Sequence, residues 1–361
     1  MFIGKDKSDL DTPALWVDLD IMESNIAQLA AYFKQAGVGW RPHTKGIKTP
    51  AIAHKLIAAG ALGITCAKLS EAEVMAAAGI KDILVANQVV GPYKATRLAH
   101  LRRQADVMVA VDSVENVEEL SQAAVAAGVT LRVLIEVNSG MNRAGLEPGQ
   151  PVVDFAKKVV GRPGIDLAGV MAWEGHAVAI QDQAEKRAVV EKAVGSLLHS
   201  AEMCRAAGIP IRIVSCGGSG SYQITAHIPG VTEIQAGGAV FTDVTYRNWG
   251  VPLEPSLFVL ATVTSRPTPT RAIVDAGRKA MNGEVAMPQP RDIKGVKVTG
   301  LSAEHGTLEL ASPDIPLRVG DKMDFIVGYG DNTVYLHDQI VGIRKGKIEV
   351  IWPILGRGKL T

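Results

Sequence analysis

Cysteine is scarce. Cys66, Cys204 and Cys216 are the only three in 361 residues, widely spaced and odd in number. That excludes a disulfide framework and fits a reducing compartment. Neither sign of charge is in excess: 38 lysines and arginines face 37 aspartates and glutamates, for a formal net charge of +1. No basic cluster stands out, so neither nucleic acid nor an anionic membrane surface is favoured as a partner. No apolar run approaches the ~20 residues that a membrane helix needs. The opening stretch MFIGKDKSDLDTP is charged and lacks an apolar centre, so it does not read as a signal peptide. These gaps predict a soluble, cytoplasmic protein. The length suits one large domain plus a smaller one.

What is present is a recurring phrase, Ala-Gly followed by a short β-branched run. It occurs at Gly37, Gly60, Gly79, Gly128 and Gly208, each time after an Ala-rich amphipathic stretch. A helix stopped by glycine and followed by a buried strand explains it. Strands are expected at 39–43, 62–66, 82–86, 106–111, 131–137, 166–173, 211–216 and 231–236. Eight strands alternating with helices predict an α/β fold, a (β/α)8 TIM-like barrel. A doubly wound open sheet is the competing architecture, but no dinucleotide fingerprint follows the first strand. Beyond about residue 250, strand-like runs (SLFVLATVTS, RAIVDAG, KMDFIVG, KIEVIWPI) replace helices. The expected division is an N-terminal segment 1–12, a barrel 13–250 and a C-terminal β domain 251–361. The run ALWVD at 14–18 precedes the barrel strands, and the sequence leaves its sheet open.

Barrel active sites lie at the C-terminal ends of strands, which yields a shortlist. The first strand ends in Arg41-Pro42-His43-Thr44-Lys45. Period-two alternation places Arg41, His43 and Lys45 on one face, read as the inner one. A rim lysine, partly desolvated, suits imine chemistry. A lone rim lysine is more often solvated; His43 beside it and a phosphate site elsewhere favour the chemical reading. Lys48 is a possible decoy. The seventh strand ends in GGSGS at 217–221 and the eighth in Gln235-Ala236-Gly237-Gly238-Ala239. Two glycine-rich loops after adjacent strands read as a phosphate cradle. Arg143, after the fifth strand, is placed to meet an anionic oxygen or to sit on the surface. Trp173, after the sixth, stacks on a ring or fills the rim. His176 and His305 are candidate acids or bases against a reading as loop histidines. Asp331 and His337 could ligate a metal, though two such residues usually do not make a site. Lysine plus phosphate cradle points to pyridoxal phosphate. A sugar-phosphate aldolase is the alternative, but it gives Arg143 and the β domain no role.

These residues resemble a known family. RPHTK at 41–45, CAKLSEA at 66–72, NQVVGP at 87–92, GGSGS at 217–221, EIQAGG at 233–238, DAG at 275–277, EHG at 304–306 and LHD at 336–338 are similar to motifs of the fold-type III PLP enzymes. This is the alanine-racemase-like group, and the nearest branch is that of D-threonine aldolase and D-serine dehydratase. The resemblance runs nearly end to end. It implies that Lys45 carries the cofactor covalently and that Arg143 meets its phenolic oxygen. It also implies that Gly218, Ser219, Gly220, Gly238 and Ala239 hold the phosphate, and that two chains pair as a homodimer with the site at the interface. The cofactor-binding set is thus Lys45, Arg143, Trp173, Gly218, Ser219, Gly220, Gln235, Gly238 and Ala239.

Two departures stand out. Metal-dependent members carry His-x-Asp or His-x-Cys where this chain has Tyr329-Gly330-Asp331. Only Asp331 of the divalent-metal pair is kept. Where the aldolases have a catalytic histidine, this chain has Ala179, with His176 nearby. The implied reaction is retro-aldol cleavage of a β-hydroxy-D-amino acid, with His43, His176 and His305 as candidate bases beside Lys45. A D-serine dehydratase-like ammonia-lyase is the alternative. So is an amino-acid racemase, which would use Lys45 and Tyr329 or Tyr335, and so is a non-catalytic PLP-binding protein.

Overall fold

The structure, a computed structural model, describes residues 3–361. The chain enters through β1 (Ala14–Asp18) and α1 (Leu19–Ala36). A regular alternation follows: β2 (Gly39–Trp40), α2 (Pro50–Ala58), β3 (Ile64–Cys66), α3 (Leu69–Ala77), β4 (Asp82–Gln88), α4 (Pro92–Leu101), β5 (Asp106–Val111) and α5 (Val114–Ala127). It continues through β6 (Leu131–Glu136), α6 (Gln150–Val159), β7 (Ile165–Met171), α7 (Gln183–Ala206), β8 (Ile213–Cys216), α8 (Tyr222–Thr225) and β9 (Glu233–Ile234). The eight strands β2–β9 pair in parallel in the order β2-β9-β8-β7-β6-β5-β4-β3. Just past β2, a parallel bridge from His43 to Thr65 brings the two ends of this sheet together. The expected barrel is therefore observed, strand for strand.

The apolar patterning explains the barrel. Parallel strands covered on both faces read as continuous apolar runs. Leu84, Met108, Ala110, Leu134, Ala168 and Met171 pack together as one cluster. Their strand neighbours Ile83, Val85, Val107, Val109, Val133 and Ile135 pack in another, with helix residues such as Leu98, Leu120 and Leu197. Each buried aliphatic side chain contributes about 1.5–3 kcal/mol. Gly128 illustrates the stop signal. It ends α5 in the left-handed conformation, φ 64°, and its N–H reaches back to Ala124 and Val125 carbonyls.

The second sheet has nine strands. β10 (Leu257–Thr268), β11 (Arg271–Val274), β12 (Gln289–Pro290), β13 (Val296–Leu301), β14 (Gly306–Leu310), β15 (Lys322–Ile326), β16 (Gln339–Arg344) and β17 (Lys347–Pro353) join β1. The main order is β13-β14-β11-β10-β1-β16-β17, with β15 also on β10 and β12 on β15. The sheet of ALWVD, left open by the sequence, is this one. β1 runs antiparallel to β10 and parallel to β16. Trp16 stacks on Phe258 with centroids 4.6 Å apart and donates its indole N–H to Asp324 at 2.8 Å. One compact unit accordingly gathers residues up to Leu29, Gly46–Ala51 and Gly238–Gly358; the other gathers Ala30–Lys45, Ile52–Gly237 and Lys359–Thr361. The sequence reading places its cuts at 12/13 and 250/251.

No helix among the described residues is long and apolar enough to cross a membrane. All three cysteines are buried free thiols.

Candidate active site

β2 stops at Trp40, so the alternation read from the sequence does not extend to Lys45. Thr44–Gly46 form a 3₁₀ turn instead. Long-range hydrogen bonds impose it. The His43 N–H donates to the Gln235 carbonyl at 3.1 Å, and the Thr44 hydroxyl to the Thr65 carbonyl at 2.9 Å. The Gly237 backbone lies against His43 so closely that a Cβ there would overlap it. Lys45 is half-buried, and its N–H donates to His43 Nδ1 at 3.3 Å. Arg41 is no ligand-facing residue. It is 3% exposed, with Nε 2.9 Å from Glu233 and a terminal nitrogen 2.6 Å from Asp82.

The glycine-rich loop after β8 is tight. A Cβ on Gly218 would overlap the Trp173 ring, so the loop backbone lies directly against that indole. Ser219 and Gly220 occupy the turn itself. Gln235 is buried and donates to Ser215 Oγ at 2.9 Å. Glu174, which sequence reasoning passed over, accepts hydrogen bonds from Ser221, Thr225 and Gly217. The one sequence signal was the i, i+4 spacing of the Ser221 and Thr225 hydroxyls across α8.

Arg143 is 57% exposed and lies 3.8 Å from Glu136 at the end of β6. Gln88 donates to Glu136 at 2.6 Å and to Asp112 at 3.0 Å. Burial pushes the Glu136 carboxyl up, and Asp112 adds to the shift; Gln88 and Arg143 oppose it. His176 is exposed, its ring 3.1 Å from where a Gly140 Cβ would stand.

In the other unit, His305 is exposed and its N–H donates to Ser302 Oγ at 3.2 Å. Gly238 opens a 3₁₀ turn to Val240 that contains buried Ala239, and its Cα abuts the Tyr246 hydroxyl. Asp331 accepts from Tyr329 at 3.0 Å and from Tyr246 at 3.4 Å. Burial pushes both phenols up, with the Asp331 charge second. Asp243 is pushed to about 8 by burial, aided by Asp331 and opposed by the N–H groups of Gly330 and Tyr246.

That proton makes stability pH-dependent. Between the ordinary carboxylate value of 3.8 and about 8, the folded chain keeps a proton that the unfolded chain has released. Stability falls as pH rises through this window, by at most about 1.4 kcal/mol per pH unit. Thermal melts across the window should show that decline. Asp243→Asn should flatten it while starting less stable, because an amide cannot accept from both N–H groups. An unchanged slope in the variant would assign the decline to other residues.

Comparison with known proteins adds the decisive observation. The model of the alanine racemase N-terminal domain matches residues 17–244, and that of a putative serine dehydratase domain matches 256–343. The chain belongs to the alanine-racemase-like PLP enzymes. A D-threonine aldolase from Arthrobacter is 37% identical over 98% of this chain and 95% of its own. The crystal structure of a D-threonine aldolase from Filomicrobium marinum superposes with a TM-score of 0.98 at 36% identity, covering all of both chains. A D-threo-3-hydroxyaspartate dehydratase from Delftia gives 0.90 at 30% identity, over 97% of this chain and 99% of its own. A variant of that dehydratase was solved in a metal-free form.

Pyridoxal phosphate is the family's cofactor, and the residues present fit it. The fixed turn supplies an amine at Lys45. The Gly218 backbone lies bare against Trp173, in a cradle that a side chain would fill. A divalent metal at Asp331 does not fit. Both Asp331 oxygens accept phenolic hydrogen bonds, from Tyr246 and from Tyr329. No group of three or more His, Cys, Asp or Glu suited to a metal occurs among the described residues.

Proposed function

We propose that this chain is a PLP-dependent lyase that cleaves a β-hydroxy-D-amino acid between Cα and Cβ, releasing glycine and an aldehyde. The observation that carries this reading is Lys45, pinned in its turn beside His43 at the end of the first barrel strand, in a chain so like two D-threonine aldolases. The proposal includes a homodimer, as the resemblance implies, and a cytoplasmic location, as the scarce and scattered cysteines suggest.

Bound PLP supplies an electron-withdrawing ring that accepts the electron pair left on Cα. This chain's residues do the rest. Lys45 Nζ would hold the cofactor covalently. Gly218, Ser219, Gly220, Gly238 and Ala239 would hold its phosphate, with Trp173 beside the loop and Gln235 bonded to Ser215 at its base. Arg143 would meet the phenolic oxygen, as the resemblance implies. The substrate's β-hydroxyl loses its proton to a base as the Cα–Cβ bond breaks and Cβ becomes the aldehyde carbon; Cα then takes up a proton. His43, beside Lys45, is the candidate donor there. His176, whose ring is exposed, is the candidate base, with His305 held as the other.

Dehydration is the second reading, favoured by the serine dehydratase domain match over 256–343. Racemisation needs a second base. Tyr329 is bonded to Asp331 with its pKa pushed up, the wrong direction for a base, which leaves the exposed Tyr335 as the candidate for that reading.

Purified protein with D-threonine should yield glycine and acetaldehyde at equal rates. Because the Asp331 donor set does not suit a metal, EDTA should leave that rate unchanged. A 2-oxo acid plus ammonia would move the chain to the dehydratases. No product from D-threonine, D-serine or 3-hydroxy-D-aspartate would sink both readings.

A further inference from the structure

We infer that Glu174 is a positioning residue that staples the two ends of the 217–221 loop and so sets its affinity for the cofactor's phosphate. This rests on the proposed reading that the 217–221 loop faces that phosphate; with its N–H given to Ser221, Gly218 would line the cradle and leave the donating to Ser219 and Gly220. Glu174 lies just beyond β7 and is 1% exposed. Its Oε2 accepts the Gly217 N–H at 3.2 Å, at the loop's entry. Its Oε1 accepts the Ser221 and Thr225 hydroxyls, each at 2.7 Å, at the exit. One buried carboxylate thus ties both ends of a five-residue turn.

The tie also orients the loop. A serine hydroxyl has one proton. Ser221 gives it to Glu174, so its oxygen is left to accept, and it accepts the Gly218 N–H at 3.1 Å. The Gly217 and Gly218 amides are therefore committed inward. Backbone bonds from Ser221 and Tyr222 to the Gly218 carbonyl, 3.1 and 2.9 Å, complete the turn. Ser219 and Gly220 are left as the span between two anchored ends. A negative charge beneath an anion-binding loop would repel its ligand if it faced outward; here hydrogen-bond donors of the loop lie between the two.

The test compares PLP with pyridoxal, which has the same ring and aldehyde but no phosphate. Full-length protein is stripped of cofactor with hydroxylamine and titrated with each compound by visible absorbance. In Glu174→Gln the amide oxygen keeps the hydroxyls, but its NH₂ meets the Gly217 N–H, donor to donor. PLP affinity should fall on the order of tenfold, as when one buried donor loses its acceptor. Pyridoxal affinity should not change. Thr225→Val removes one strand of the tie without touching either end's backbone; it should weaken PLP by a few-fold and spare pyridoxal. Equal losses for both compounds, or no loss for either, would overturn the inference. A wild-type protein that binds PLP no better than pyridoxal would instead remove the phosphate reading beneath it.

Discussion

Lys45→Ala protein should show no turnover of D-threonine above background, a loss of several orders of magnitude. Borohydride reduction followed by peptide mapping should find a pyridoxyl group on Lys45 in the wild type and none in the variant. The structural reason is that the substitution removes the amine and leaves the bonds that set the turn. The turn around Lys45 is set by backbone and neighbouring side chains: His43 N–H to Gln235, Thr44 Oγ1 to Thr65, and the close approach of Gly237. The turn should therefore persist, and the loss is chemical. A tethered nucleophile converts an encounter in solution into an effectively unimolecular step, and that advantage disappears with the amine. Lys45→Arg separates charge from nucleophilicity. It keeps the cation and should be as inactive as the alanine variant. An arginine variant with substantial activity would mean that Lys45 serves as a charge, and the covalent reading would fail.

The largest stability effect is expected at Arg41. Its guanidinium joins Glu233 on β9 to Asp82 on β4, strands that do not neighbour each other in the sheet. Arg41 and Glu233 are almost completely buried, whereas Asp82 is one-third exposed. Arg41→Met fills similar volume but leaves Glu233 charged and unpaired in the interior. Breaking a buried pair this way costs about 3–5 kcal/mol. For a chain of this size that lowers the melting temperature by about 4–7 °C. Arg41→Met with Glu233→Gln should be markedly more stable than the single variant, since no uncompensated charge remains. If the double variant is no better, packing and not charge explains the loss.

The barrel was legible because its signals are local. Each strand is a short apolar run, and five of the helices run into a glycine (Gly37, Gly60, Gly79, Gly128 and Gly208) within the same stretch of chain, so neither signal needs knowledge of distant residues. The sheet membership of β1 was not legible. Five mostly apolar residues fit either sheet, and the choice was made by β10 and β16, far along the chain. The same distinction divides the site. Lys45 and the 217–221 loop stood out from residue type and place. The polar alternation of 41–45 misled about local shape, because the 3₁₀ turn is imposed by Thr65, Gln235 and Gly237. Arg41 looked like a pocket residue until its partners Glu233 and Asp82 appeared. Glu174 was invisible, since a glutamate after a strand says nothing of hydroxyls more than forty residues ahead. At Asp331, Tyr329 was visible as a departure, but the second phenol, Tyr246, lies 85 residues upstream.

The placement of β1 bears on biogenesis. Val17 hydrogen-bonds across to the region of Leu257, and Trp16 to that of Val341. A ribosome releases β1 long before either neighbour exists. Throughout synthesis of the intervening barrel, an apolar segment destined for the middle of a sheet waits with both edges bare, the condition that invites mispairing and chaperone capture. Premature termination after the barrel would therefore strand β1 without a sheet, so a truncated product should aggregate even though its parallel strands are all present.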